Sequence, residues 1–188
     1  MSGPLVLASR SPQRRAILDQ LGIAFVARPV DVDEDDSGTP ALVVADNARR
    51  KALAAPAERH ELVLGVDTVV AIEDEIWGKP ADARAARETL RRLAGRTHRV
   101  LSAIALVRDG ALTGAATAVT EVRFRALDDD LVDWYVATDE WRERAGGYAI
   151  QGRGAALVVA IDGDYSNVVG LPVVALLELA PELLRASA

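Results

Sequence analysis

One carboxylate lies within a segment that is otherwise typical of a buried strand. Asp67 interrupts LVLGVDTVVAI, residues 62–72, an apolar and β-branched run that is typical of a buried strand. Because an unpaired buried carboxylate costs several kcal/mol or becomes neutral, a cation or hydrogen-bond donors should lie beside it. This placement favours a functional role for Asp67. The structural alternative is that Gly65 marks a bulge and Asp67 caps a turn.

A second unusual feature is a helix start that is rich in arginine. The segment LASRSPQRRAILDQLG, residues 7–22, predicts the end of a strand and then a helix with Ser11 as its N-cap. Arg10, Arg14 and Arg15 crowd the start of this helix, where the helix dipole favours anions by roughly 0.3–1 kcal/mol per charge. We therefore expect an anionic ligand at this end of the helix.

The acidic run PVDVDEDD, residues 29–36, carries five carboxylates. A solvated acidic loop is the simplest interpretation of such a run. A functional interpretation is also open, since a hard divalent cation such as Mg²⁺ takes oxygen ligands and keeps several waters. Asp67 and one residue of this run, together with substrate phosphates, would satisfy such an ion.

Two lysines are candidates for contact with the anion. Lys79 lies in WGKP, where Pro80 restricts it to extended conformations and so helps to hold its position. Lys51 lies in the helix-like segment ADNARRKALA, where a solvated helix face is the simpler interpretation of the pattern. Local sequence therefore makes Lys79 the stronger candidate.

Composition and charge limit the class of protein. With 188 residues, half of them apolar, the chain buries a sizeable core, and we predict one domain over residues 1–188. The 22 Lys and Arg against 28 Asp and Glu give a net charge of −6, which argues against nucleic-acid binding. The sequence has no cysteine and two histidines, which excludes thiolate and three-histidine metal sites. Without a signal sequence or a long apolar run, we expect a cytoplasmic protein that binds no membrane.

Alternating patterns along the chain predict an α/β fold. Strand-like runs cover residues 4–8, 23–30, 62–72, 97–107, 113–125 and 155–162. Helix-like runs cover residues 12–21, 40–55, 82–93, 128–137 and 172–185. The two consecutive strands joined around RDGAL predict an antiparallel hairpin, so the sheet is expected to be mixed, with flanking helices.

Three further segments have simpler explanations. His98, in GRTHRV, is expected to fix a strand edge rather than to act as a base. The segment DGDYSN, residues 162–167, lacks the glycine and the glutamate of a calcium loop and is expected to be a turn. The glycine-rich residues 145–156 are expected to form a loop that shapes a site.

Eight motifs in order resemble those of the Maf family of nucleoside triphosphate pyrophosphatases. They are LASRSPQRR, VDE, RRKA, GVDTVV, GKP, GRTHRV, GGYAIQGRG and GDYSNVVGLP, and the resemblance covers residues 4–177. It implies a mixed α/β fold of two lobes around a central cleft, a divalent cation such as Mg²⁺ or Mn²⁺, and frequently a homodimer. It also implies hydrolysis of a nucleotide to its monophosphate and pyrophosphate. The triphosphate is then the anion expected at the arginine-rich helix start.

The resemblance implies a role for individual residues. Asp67 is assigned as the catalytic carboxylate, and Asp67 and Glu34 as metal ligands. The phosphate-binding residues are Ser9, Arg14, Lys51 and Lys79. In the mechanism we expect, a water beside Asp67 attacks the α-phosphorus, and a divalent cation held by Asp67 and Glu34 would neutralise phosphate charge. Whether Asp67 acts as base, as metal ligand or as both stays open.

The resemblance also bears on the base that is recognised. Thr68, directly after the aspartate, and Gln151, in YAIQG, resemble the branch of the family that acts on dTTP and UTP. Gln13 departs from that branch, which has arginine at this position. We therefore predict dTTP and UTP as substrates. Two alternatives remain at this point: a nucleotide-binding regulator of septum formation, and a pyrophosphatase for modified or deaminated purine triphosphates.

Overall fold

The computed structural model describes residues 4–185, which form a mixed α/β fold around a seven-stranded sheet. The strands are β1 (Leu5–Leu7), β2 (Phe25–Ala27), β3 (Leu62–Ile72), β4 (Glu75–Trp77), β5 (Thr97–Arg108), β6 (Ala111–Phe124) and β7 (Val158–Asp162). The helices are α1 (Pro12–Gln20), α2 (Pro40–Ala54), α3 (Ala83–Leu93), α4 (Asp129–Val136), α5 (Tyr165–Val169), α6 (Val173–Leu179) and α7 (Glu182–Arg185).

The sheet is mixed, as the sequence predicts. Its strand order is β2-β1-β3-β5-β6-β7, and the short strand β4 pairs with the far end of β3. Strand β1 runs parallel to both β2 and β3, whereas the other pairs are antiparallel. The predicted hairpin joins β5 and β6, and Asp109 and Gly110 at its turn both have positive φ. The pairing of β3 with β5 is continuous, so the alternative of a bulge at Gly65 is wrong.

Helix α2 packs directly on one face of the sheet because Gly65 has no side chain. A Cβ atom at Gly65 would lie 2.6 Å from the backbone nitrogen of Ala52 and closer still to the carbonyl oxygen of Ala48. The close approach buries Ala48 and Ala52 against β3 and β5. It also brings the polar residues of the same helix face over the middle of β3, where Asp67 lies.

The remaining helices pack in two groups that flank a cleft. Helices α1 and α6 cover the opposite face of the sheet near β1, around Leu7, Leu18 and Leu176. Helices α3 and α4 pack around the far ends of β3, β5 and β6, with Tyr135 and Trp141 at the centre of that cluster. The long strands β3 and β5 run through both groups. None of the helices in residues 4–185 is long and apolar enough to cross a membrane.

The structure corrects several predicted elements. The predicted helix at residues 172–185 is two helices, because Ala180 has non-helical φ and ψ and Pro181 follows it. The predicted strand at residues 23–30 is confined to β2, since its partner β1 has only three residues. Strand β4 and helix α5 are short elements that the sequence patterns did not indicate. Helix α5 lies partly within the predicted turn at residues 162–167 and begins after its N-cap Asp164.

Candidate active site

A cleft of about 660 Å³ opens between the two groups of helices. It is bordered by the start of α1, the acidic loop before α2, the middle of β3 and the glycine-rich loop after α4. All the candidate site residues line this cleft, namely Ser9, Gln13, Arg14, Glu34, Lys51, Asp67, Thr68, Lys79 and Gln151. Residues that are far apart in sequence thus meet at one place.

Asp67 is 6% exposed and has the partners that a buried carboxylate needs. The ammonium of Lys51 lies 2.6 Å from Oδ1 of Asp67, and Nδ2 of Asn47 donates to Oδ2 at 3.2 Å. Lys51 is itself buried, so the interpretation of its helix face as solvated is wrong. The close packing of α2 at Gly65 is the physical reason, because it places this face against β3.

Glu34 joins the same pair from the acidic loop. Its Oε1 lies 2.7 Å from the Lys51 ammonium, so one nitrogen bridges two carboxylates. Partial burial raises the pKa of Glu34, but the hydrogen bond and charge of Lys51 and the charges of Lys79 and Arg14 outweigh it and hold that pKa below its usual range. Glu34 is therefore ionised at neutral pH and remains half-exposed to the cleft.

Asn47 is a site residue that sequence reasoning missed. Its Oδ1 accepts the backbone N–H of Asp35 at 2.8 Å, and its Nδ2 donates to the carbonyl of Asp35 at 2.8 Å and to Asp67. Asn47 thus fixes the acidic loop beside the buried carboxylate. The available signal was its spacing, since Asn47 lies four residues before Lys51 and therefore on the same helix face.

Arg14 is buried at the arginine-rich start of α1. Its Nε donates to the carbonyl of Gly170 at 2.9 Å, and its other nitrogens donate to Oγ of Ser9 at 2.9 Å and Oγ1 of Thr68 at 3.2 Å. Burial lowers the pKa of Arg14, while the charges of Asp67 and Glu34 act to raise it. Within residues 4–185 no carboxylate forms an ion pair with Arg14, so an anion in the cleft would supply the missing partner.

The other three candidates lie nearer the cleft mouth. Lys79 pairs with Glu143 at 3.2 Å, and both side chains are largely exposed. The Lys79 side chain is thus held less firmly than that of Lys51. Local sequence alone makes Lys79 the stronger candidate for contact with the anion, and the structure reverses that order. Gln13 accepts a hydrogen bond from the Ser11 hydroxyl at 3.0 Å, and Gln151 is exposed.

The glycine-rich loop forms one wall of the cleft and is supported from beneath by His98. His98 is the second residue of β5 and is buried, and its Nε2 lies 2.9 Å from the Tyr148 hydroxyl. Burial lowers the pKa of His98 to about 4, so the ring is neutral at pH 7. Gly146 has φ of 68° and lies so close to Val70 that a side chain would not fit.

Replacing Lys51 with methionine should lower the free energy of unfolding by about 3 kcal/mol, because Asp67 would lose its buried cation. The matched control is Lys79→Met, which removes an exposed ion pair and should cost less than about 1 kcal/mol. Urea denaturation at pH 7 measures both. Equal losses for the two variants would show that the Lys51 pair contributes no more than a surface pair.

Comparison with known proteins shows the family to which the chain belongs. Residues 4–183 match the family described as Maf-like protein. A dTTP/UTP pyrophosphatase of Anaeromyxobacter dehalogenans is 47% identical, with 99% of this chain and 95% of the relative covered. A dTTP/UTP pyrophosphatase of Pyrococcus furiosus is 40% identical, with 93% of each chain covered. The solved structure of a HAM1 protein from Coxiella burnetii shares the fold, with a TM-score of 0.51 at 20% identity over 82% of this chain and 90% of that one. The chain therefore belongs to the Maf-like protein family.

Proposed function

We propose that the protein hydrolyses dTTP and UTP to their monophosphates and pyrophosphate, and so removes these nucleotides from the cellular pool. The relatives named dTTP/UTP pyrophosphatase support this assignment, since they match nearly the full length of the chain. The observation that carries it is the cleft itself, where the buried Asp67–Lys51 pair lies beside an Arg14 guanidinium that has no ionic partner among residues 4–185.

The charges in the cleft suit a triphosphate. Phosphoryl transfer requires the protein to position the reactants and to neutralise charge, with little covalent chemistry of its own. Arg14 and Lys79 donate hydrogen bonds to phosphate oxygens and stabilise the leaving pyrophosphate, and Ser9 adds its hydroxyl at the helix start. Asp67 orients a water toward the α-phosphorus and accepts its proton, as a positioned carboxylate base does. Lys51 holds Asp67 in place through the contact of its ammonium with Oδ1, and its charge helps to neutralise the phosphates.

A divalent cation is part of the proposal, and the residues present fit one. Oxygens of Asp67 and Glu34 both contact the same Lys51 nitrogen, so they already face one cationic position, and hard cations prefer carboxylate oxygen. Residues 4–185 contain no group of three or more acidic or histidine side chains that would hold an ion alone. The remaining ligands therefore come from phosphates and waters. When bound, Mg²⁺ or Mn²⁺ neutralises phosphate charge and lowers the pKa of bound water.

A panel of nucleotides tests the function. The purified protein is incubated with Mg²⁺ and each of dTTP, UTP, the other common triphosphates, 7-methyl-GTP and a deaminated purine triphosphate, and pyrophosphate release is measured. We expect dTTP and UTP to give the highest kcat/KM. A best substrate among the modified or deaminated purines would contradict the assignment of the base. Tight nucleotide binding without turnover would instead favour a regulator.

Gln13→Arg should sharpen the preference for dTTP and UTP. A glutamine amide hydrogen-bonds a pyrimidine edge but lacks the fixed charge and five donors of arginine. The ratio of kcat/KM for dTTP to that for a purine triphosphate should rise by a factor that corresponds to roughly 1–3 kcal/mol of transition-state stabilisation, the scale of one contact to a base. Gln20→Arg, at the exposed far end of α1, is the matched control. An unchanged ratio would place the base pocket away from Gln13.

The setting of the enzyme follows from the same proposal. Because dTTP and UTP are soluble metabolites, we propose a cytoplasmic enzyme of one domain that needs neither nucleic acid nor membrane. A homodimer is the proposed oligomeric state. Sedimentation equilibrium measures it directly, and a monomer at micromolar concentration would contradict it.

A further inference from the structure

We propose that Asn167 and Thr120, which do not touch the cleft, form a buried positioning pair that sets the orientation of the Arg14 guanidinium. The inference rests on the proposed function, since it concerns how the same cleft holds a triphosphate. It assigns a role to the segment of residues 164–170, which contains α5 and whose last three residues line the cleft with Arg14.

Asn167 fastens helix α5 to the sheet. It is fully buried, and its Nδ2 donates to the carbonyl of Val100 at 3.0 Å and to Oγ1 of Thr120 at 2.9 Å. Val100 on β5 and Thr120 on β6 are directly opposite each other in the sheet. One amide group therefore ties α5 to two neighbouring strands. The position of α5 depends on this link, since a five-residue helix has little stability of its own.

The Thr120 hydroxyl is saturated with hydrogen bonds. It accepts from Nδ2 of Asn167 at 2.9 Å and from the backbone N–H of Asp164 at 3.1 Å, and it donates to the carbonyl of Asp164 at 3.0 Å. A hydroxyl offers one donor and two acceptor positions, so all of them are used. Valine has nearly the same shape as threonine but makes none of these bonds. The substitution Thr120→Val would therefore remove one hydrogen-bond partner of Asn167 and both hydrogen bonds to the turn at Asp164.

The far end of α5 presents a backbone carbonyl to Arg14. The N–H of Gly170 donates to the carbonyls of Ser166 and Asn167 at 3.1 and 3.0 Å, so the position of Gly170 is set by the helix. Gly170 has φ of 124°, a conformation that other residues rarely adopt. Its carbonyl accepts from Nε of Arg14 at 2.9 Å. Because Nε lies in the guanidinium plane, the carbonyl fixes the direction of that plane.

A second connection runs through hydroxyl groups of the sheet. Thr68 on β3 and Ser102 on β5 are opposite each other, and their hydroxyl oxygens lie 2.8 Å apart. Arg14 donates to Thr68 at 3.2 Å, and Ser102 donates to the carbonyl of Asn167 at 3.4 Å. The same helix α5 thus holds Arg14 through two separate routes, and the N–H groups that remain on the guanidinium are directed to a ligand in the cleft.

Thr120→Val tests the pair, with Thr120→Ser as the conservative variant and Thr117→Val, at an exposed site on the same strand, as the control. We expect Thr120→Val to raise KM for dTTP and Kd for pyrophosphate by about tenfold, since small displacements of a binding group reduce affinity strongly. Thr120→Ser should restore both values. A merely structural loss would lower the active fraction, and with it kcat, while KM and Kd stayed unchanged. That result would overturn the proposal.

A double-mutant cycle with Arg14→Met shows whether the pair acts through Arg14. In the Arg14→Met background, Thr120→Val should change the pyrophosphate Kd by less than about twofold, because the group being positioned is gone. A tenfold effect in both backgrounds would contradict the proposal. Calorimetry measures pyrophosphate binding and does not depend on turnover. A wild-type protein without activity would therefore refute the proposed function, while the change in pyrophosphate Kd would still decide whether the pair positions Arg14. Asn167→Ala should behave as Thr120→Val does, with circular dichroism used to confirm folding.

Discussion

Asp67→Asn should leave a folded protein that binds dTTP but turns it over about 10³-fold more slowly than the wild type. The expected size is that of a lost carboxylate base, whose contribution is typically about 10²–10⁴-fold. Asparagine has nearly the same shape and keeps an oxygen that accepts from the Lys51 ammonium, now 2.6 Å from Oδ1. The side chain of Glu34 also remains on Lys51. The fold should therefore survive while the proton acceptor is lost.

The control for this variant is Asp46→Asn on the outer side of α2. Asp46 pairs only with Arg49 and Arg50 of its own helix in the described salt bridges, so its loss should leave turnover nearly unchanged. Turnover and dTTP affinity are measured for both variants, and thermal melting checks their folding. Near-normal turnover in Asp67→Asn would remove Asp67 from the chemistry. Failure of that variant to fold would show that the carboxylate is primarily structural.

Removing divalent ions should abolish dTTP hydrolysis and leave the fold intact. Two carboxylates, Asp67 and Glu34, are too few to hold an ion tightly without phosphates, and each already contacts Lys51. A metal of this kind contributes little to the stability of the free protein. Excess EDTA should therefore eliminate pyrophosphate release while the melting temperature stays constant, and added Mg²⁺ should restore the activity.

Two results would contradict the metal proposal in different ways. Full activity in excess chelator would mean that Arg14, Lys51 and Lys79 neutralise the phosphates without an ion. A large fall in melting temperature on chelation would instead indicate a structural metal site at another place in the protein.

The sequence predicted the centre of the site through one physical argument, the cost of burying a charge. Asp67 in an apolar strand required a cation or hydrogen-bond donors, and the structure supplies Lys51 and Asn47. The identity of that cation was not predictable from the lysine's own helix. Lys51 is buried because Gly65, on a different element, lets α2 approach β3 closely. Tertiary packing therefore buries a helix face that the local pattern alone predicts to be exposed to solvent.

The hydrogen bonds that position Arg14 could not be predicted from sequence patterns, because they also depend on tertiary packing. Thr120 and Asn167 are 47 residues apart, and they meet only because the pairing of β5 with β6 and the short helix α5 bring them together. Helix α5 itself is too short for a periodic pattern to indicate. The motif GDYSNVVGLP marked this segment through the resemblance, but neither the motif nor local chemistry indicated a contact with Thr120.

The fold class was predictable because its long elements have strong patterns. The runs at residues 62–72 and 97–107 match β3 and β5 closely, and the hairpin after Arg108 has the turn residues that its positive φ values require. The errors lie at the edges of the fold. Strand β2 is limited by a three-residue partner, and the C-terminal helix is interrupted at Pro181. Such boundaries depend on neighbours rather than on the segment itself.

Hydrolysis of dTTP in ¹⁸O-labelled water shows whether a water attacks the α-phosphorus, as proposed for the cleft beside Asp67. Mass spectrometry of the products locates the label. We expect dTTP to be converted to dTMP that carries one ¹⁸O atom and to unlabelled pyrophosphate, with no dTDP. Label in the pyrophosphate would mean attack at the β-phosphorus, and formation of dTDP with labelled phosphate would mean attack at the γ-phosphorus. Either result would rule out attack at the α-phosphorus.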